Sequence, residues 1–145
     1  LWNEHLGYAT VATGAVGTDE ALAWDTPAMA GRRYRLLQPA SGEPAFIRLV
    51  EAPADAAPAP PFRQLGWNAT ELLVQDPDAL ARALATSPFR VIGPPADLLP
   101  TPDSPRAMQV VGPGDHALYL TRIIPAGVGY DLGSARTPVD RVFIV

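Results

Sequence analysis

Glu71, in the segment "NATELLVQD", is a carboxylate set in a run of strand-forming residues. Side chains alternate faces along a strand, so Ala69, Glu71 and Leu73 share one face while Thr70, Leu72 and Val74 share the other. A carboxylate there can accept a hydrogen bond from a ligand, or act as a general base if burial raises its pKa. The same position suits an edge or interface carboxylate paired with an arginine. Further along, "HALYLTRI" places Tyr119 and Thr121 on a face with Ala117, and the earlier "AFIRLV" offers Phe46 and Arg48 in related places. Aromatic walls carrying one or two polar groups fit a flat organic ligand, and they equally describe a core rimmed by charge.

Other chemistries are poorly supplied. The chain has no cysteine, hence no disulfide framework, no thiolate zinc site and no cysteine nucleophile. Its two histidines, His5 near a helix end and His116 beside a turn, read as solvated or locally hydrogen-bonded side chains. No glycine-rich phosphate loop follows a strand, no serine occupies a nucleophile elbow, and no spacing of Asp, His and Ser nominates a triad. Catalytic residues therefore stay unassigned. Trp2, Trp24 and Trp67 read as core or interface residues, and the Asn68-Ala-Thr70 acceptor pattern falls inside a strand and carries no weight.

The elements that must position these side chains fit one domain of 145 residues and 15.4 kDa. No apolar run approaches the roughly 18 residues of a membrane span. A formal charge of -4, with all eleven basic residues arginine and none in a run, gives no reason to expect nucleic acid or an anionic membrane as partner. The first residues lack a secretory pattern, so a cytoplasmic location is the expectation. The chain lacks an initiator methionine and ends on "VDRVFIV", a strand opening, so both ends read as cut from something longer.

"LGYATVATGAVG" predicts a strand, and "TDEALAWDTPAM" a short helix capped by Thr18 and limited by Pro27. "RRYRLLQPASGEPAFIRLVEA" predicts a hairpin turning at "PASGEP". Pro53 to Pro61 is a proline-rich linker. After it come a strand in "NATELLVQD", a helix in "DPDALARALATS", a strand in "FRVIGPP" and a hairpin in "RAMQVVGPGDHALYLTRI". "HLGYATVA" is similar to "ATSPFRVIG", and the two hairpins are similar to each other in order and spacing, which predicts an internal repeat.

This tandem strand-helix-strand-strand-strand pattern, with a Pro/Gly turn before its last strand, resembles the vicinal oxygen chelate superfamily of glyoxalases, bleomycin resistance proteins and extradiol dioxygenases. The resemblance implies an α+β fold in which βαβββ units form a curved, partly open mixed-sheet barrel. It divides the chain into a partial first unit at 1–52, a linker at 53–64, a complete second unit at 65–124, and at 125–145 a linker with the possible first strand of a further unit. The first strand and most of the first helix of the partial unit would precede Leu1.

In such proteins a histidine on a unit's first strand and a glutamate on its last hold a divalent metal. With Asp76 ending the first strand, Ala69 stands at the histidine position and Tyr119 at the glutamate position; Phe46 or Ala45 takes the latter place in the partial unit, and Arg141 the former in the next. The resemblance therefore implies a metal-free segment without cofactor that binds a small organic molecule on the concave sheet. Its candidate ligand-binding residues are Glu71, Leu73, Tyr119, Thr121, Phe46 and Arg48. The alternatives are a piece of a metal-dependent lyase or dioxygenase whose ligands lie outside these residues, and a structural dimerisation unit. The incomplete first unit predicts a homodimer or pairing with further units, with "VDRVFIV" a candidate donor for its exposed edge.

Overall fold

The computed structural model describes residues 1–57, 60–63, 69–124 and 133–144. Helix α1 (Trp2–Leu6) ends at Gly7, whose left-handed φ of 67° glycine adopts without a Cβ clash. Strand β1 (Tyr8–Ala15) follows directly, so the segment predicted as strand from Leu6 begins with the end of a helix. Helix α2 (Thr18–Ala23) has Gly17 at its N-cap and no side-chain cap. Thr18 is thus the first helical residue, and the cap expected of it is absent because its own backbone has already entered the helix. Pro27 then opens a 3-10 turn, Pro27–Met29.

Strands β2 (Arg33–Pro39) and β3 (Ile47–Val50) form the predicted first hairpin, and β1 pairs antiparallel with β2. The result is a three-stranded meander, β1-β2-β3. Tyr34 on β2 lies across Gly14 so closely that a Cβ there would stand 2.7 Å from the phenol oxygen.

After the proline-rich segment, β4 (Ala69–Val74) runs into α3 (Pro77–Leu84), followed by β5 (Arg90–Asp97), β6 (Arg106–Val111) and β7 (Ala117–Arg122). β4 and β7 are parallel neighbours, and the chain between them supplies the crossover. The last strand, β8 (Val139–Ile144), lies antiparallel on the other side of β4. The five-stranded order is β5-β6-β7-β4-β8. β5 contains Pro94 and Pro95, which lack the N–H that a central strand needs, and its edge place and irregular register with β6 accommodate them. Trp67, Asn68, the first residues of the predicted second unit and residues 125–132 lie outside the described residues.

Both sheets follow a helix with an antiparallel three-strand meander, α1-β1-β2-β3 and α3-β5-β6-β7. One core joins them. Trp2, Leu6, Tyr8 and Leu37 from the first part pack in the same cluster as Leu72, Val74, Leu80, Leu84, Met108, Leu118 and Leu120. The alternation read in "NATELLVQD" holds, since Leu72 and Val74 share that cluster with Leu80 and Leu84 of α3.

"VDRVFIV" was expected as a donor to the first unit's open edge, and instead its backbone ladder is made with β4. Asp140 links it by hydrogen bonds to the first part of the chain: Tyr8 donates to the Asp140 carbonyl oxygen at 2.5 Å, and the Ser41 hydroxyl donates to its carboxylate. Hydrophobic register with β4 decides the pairing, because Val139 and Val142 face Val74 and Leu72 in the core.

Asp76 sits where the sequence placed it, between strand and helix. Its Oδ1 accepts from the backbone N–H of Asp78 at 2.9 Å and of Ala79 at 3.1 Å, and Pro77 supplies a first helical residue with no N–H to satisfy. Asp76→Ala should lower stability by about 1 kcal/mol, read as a shift in the urea midpoint without a change in slope. A shift indistinguishable from zero would show that the cap is not supporting α3.

Candidate functional site

Parallel pairing of β4 with β7 sets Ala69 opposite Ala117, Glu71 opposite Tyr119 and Leu73 opposite Thr121. Four of the six candidate residues, Glu71, Leu73, Tyr119 and Thr121, are thereby brought onto one face. The Thr121 hydroxyl, 2% exposed, donates to Glu71 Oε1 at 2.5 Å. This contact holds the carboxylate in one orientation while its second oxygen makes no hydrogen bond among the described residues. Leu73 is fully buried, whereas Glu71 and Tyr119 are only partly so. Any molecule approaching this face therefore meets Glu71 and Tyr119, with Leu73 and Thr121 as support behind them.

The remaining two candidates lie on the other sheet. Phe46 precedes β3 and is 48% exposed. Arg48 is on β3, ion-paired with Glu20 of α2, and its guanidinium stands 4.7 Å from the Tyr34 ring centroid and 5.6 Å from that of Trp24. Sandwiched cations of this kind are structural glue between α2 and the sheet. Trp24 is accordingly an exposed platform for Arg48 rather than a core residue, while Trp2 is in the core.

Both histidines are partly buried, and neither is hydrogen-bonded to Glu71 among the described residues. The His116 ring stacks on Trp2 with centroids 5.7 Å apart, and its Nε2 is buried without a hydrogen-bond partner among the described residues. Burial pushes its pKa down, against the opposing pull of a hydrogen bond to the Pro113 backbone. His5 meets the Phe89 ring edge-on and lies 3.6 Å from Glu4.

A metal of the kind the family resemblance implies needs imidazole nitrogen and carboxylate oxygen converging on one point. Ala69 carries no donor atom, Tyr119 stands opposite Glu71, and the one carboxylate present is already engaged by Thr121. Arg141 reaches the Gly133 carbonyl at 3.2 Å and can only donate. Among the described residues no three His, Asp or Glu side chains gather in one place. The residues present do not fit that metal.

Two features escaped the sequence reading. Asp140 is a fully buried carboxylate, and an acid within a strand otherwise rich in apolar residues was the available signal. The second is a pair of hollows beside the three-stranded sheet, of about 580 and 490 Å³, sharing Arg35 and Leu49 as lining. Both form only where segments distant in sequence come together, so no sequence signal existed.

Comparison with known proteins bears on the fold. No family model matches the sequence, and no curated protein does. Among solved structures, a glyoxalase family protein from Bacillus cereus aligns with 81% of this chain and 79% of its own, at TM-score 0.59 and 16% identity. The chain thus has a glyoxalase-like α+β fold built of βαβββ pattern, with two open sheets and few helices. Among the described residues no helix is long and apolar enough to cross a membrane.

Proposed function

We propose that this glyoxalase-like domain binds a small organic molecule on the face of the five-stranded sheet that carries Glu71 and Tyr119. The observation that carries the reading is the buried Thr121 hydroxyl fixing Glu71 beside Tyr119. A pre-oriented carboxylate whose second oxygen is unbonded among the described residues, next to a phenol ring, favours a ligand with a flat body and an N–H donor. Leu73 supplies an apolar floor that excludes water from behind the pair. Binding, with the Thr121 hydroxyl orienting the carboxylate, is the role assigned.

Benzylamine is a suitable probe, with an aromatic ring for Tyr119 and an ammonium for Glu71. It should produce saturable amide shifts at Glu71, Tyr119 and Thr121 in the NMR spectrum of the full chain. Glu71→Gln, which still accepts from Thr121 but carries no charge, should weaken binding about tenfold. Shifts scattered over the surface, or equal affinity in the Gln variant, would reject the reading.

A further inference from the structure

α1 is five residues long and covers one end of the three-stranded sheet, where Trp2 and Leu6 join Tyr8 and Leu37. Along β2 the face that bears Leu37 continues through Arg35 to Arg33, because alternate residues share a face. Register sets Arg35 between Thr13 of β1 and Leu49 of β3. Beyond α1 that face is open, and between helix, sheet and the β6–β7 turn lies the 490 Å³ hollow. Its volume is within the range of about 300–1,000 Å³ typical of small-molecule sites.

The charges around it are unbalanced. Three arginines line the two hollows. Arg33 makes a two-pronged contact with Glu51, at 3.1 and 3.0 Å, and Arg48 pairs with Glu20. Arg35 has neither an ion-pair nor a hydrogen-bond partner among the described residues, and no acidic residue lines the 490 Å³ hollow. An uncompensated guanidinium beside an apolar floor, in a chain of net charge -4, is a local inversion of the overall field. The floor itself is Trp2, stacked on His116, with Leu37 and Leu49.

We propose that this hollow binds a small organic acid, its carboxylate held by the Arg35 guanidinium and its apolar body laid against Trp2, Leu37 and Leu49. The planar five-donor fork of arginine matches a carboxylate's two oxygens, which a neutral amide cannot reproduce. Phosphate-like dianions fit less well, since of the two arginines lining the hollow Arg48 is already paired with Glu20, which leaves Arg35 to face the apolar floor. The site lies on a different sheet from Glu71 and takes a ligand of opposite charge, so either can fail without the other.

The test uses the full chain labelled with ¹⁵N and two probes, benzoate and benzamide, with Arg35→Gln and Arg33→Gln as variants. Benzoate should give saturable shifts at the Trp2 indole, Arg35 and Leu49, and benzamide should bind about tenfold more weakly. Arg35→Gln should remove the preference for the acid, weakening benzoate about tenfold, while Arg33→Gln changes it less than about twofold. Arg35 is exposed, so its replacement leaves the core intact, and unchanged dispersion of the spectrum verifies this. Equal affinity for acid and amide, benzoate binding unchanged in Arg35→Gln, shifts centred on Glu71 and Tyr119, or no saturable shift at all would each overturn the proposal.

Discussion

Asp140→Ala is expected to lower the stability of the fold by about 3–5 kcal/mol, one of the two largest effects of any single change considered for this chain. The carboxylate is fully buried and meets three donors: the Ser41 hydroxyl, the Arg136 N–H at 2.7 Å and the Arg141 N–H at 2.9 Å. The Arg141 guanidinium stands 3.9 Å away. Alanine leaves those donors inside the protein with nothing to bond, which costs more than the bonds themselves contributed. Asp140→Asn retains one acceptor oxygen and should cost roughly half as much.

The acid dependence has a definite sign. Burial alone would raise the Asp140 pKa, but hydrogen bonds from Ser41, Arg136 and Arg141, with the Arg141 charge, outweigh it and hold the carboxyl below its usual range. The folded state then binds a proton less readily than the unfolded chain does. The stability this supplies is complete above the unfolded pKa of about 3.9 and is lost as pH falls through the lower folded value. Urea unfolding of the wild type and Asp140→Ala should therefore show a wide gap at neutral pH that narrows below about pH 4. A gap under about 1 kcal/mol at neutral pH would mean that Asp140 does not tie β8 to the first sheet.

What the sequence disclosed depended on whether the deciding interaction was local. The alternation in "NATELLVQD" and the acidic cap at Asp76 are written in adjacent residues, and both were legible. The two hairpins were legible for the same reason, since their turns carry the proline and glycine that tight reversals use. The shared face of Glu71, Leu73, Tyr119 and Thr121 followed from strand period plus the family pattern that sets ligand positions on a unit's first and last strands, and the parallel pairing of β4 with β7 was seen only in the structure. By contrast, the partner of β8 is chosen by which buried strand its valines can cover, a contact more than sixty residues distant in sequence from β4. Phe46 and Arg48 were placed with Glu71 by analogy between units, but Arg48 is drawn away by Glu20 and Trp24, neither of which a strand pattern reveals. Thr18 shows the limit of residue type, because a good cap residue gives no bond once its backbone is helical.

Leu120→Ala should cost about 2–5 kcal/mol, the range for emptying a buried leucine site. Leu120 is fully buried on β7, between Met108 of β6 and Leu72 of β4, and faces the cluster that holds α3. Strands bonded on both sides leave little freedom to collapse into the space, which places the expected cost in the middle of that range or above it. Tyr119, one residue earlier, points to the opposite face and its hydroxyl makes no hydrogen bond among the described residues, so Tyr119→Phe should change stability by no more than about 0.5 kcal/mol. The pair tests the register on which the Glu71 face depends. A slip of one residue in β7 would exchange the two side chains, putting Tyr119 in the core and Leu120 beside Glu71. Chemical denaturation that finds Leu120→Ala mild and Tyr119→Phe severe would therefore overturn the register, and with it the reading of Glu71 and Tyr119 as a binding surface.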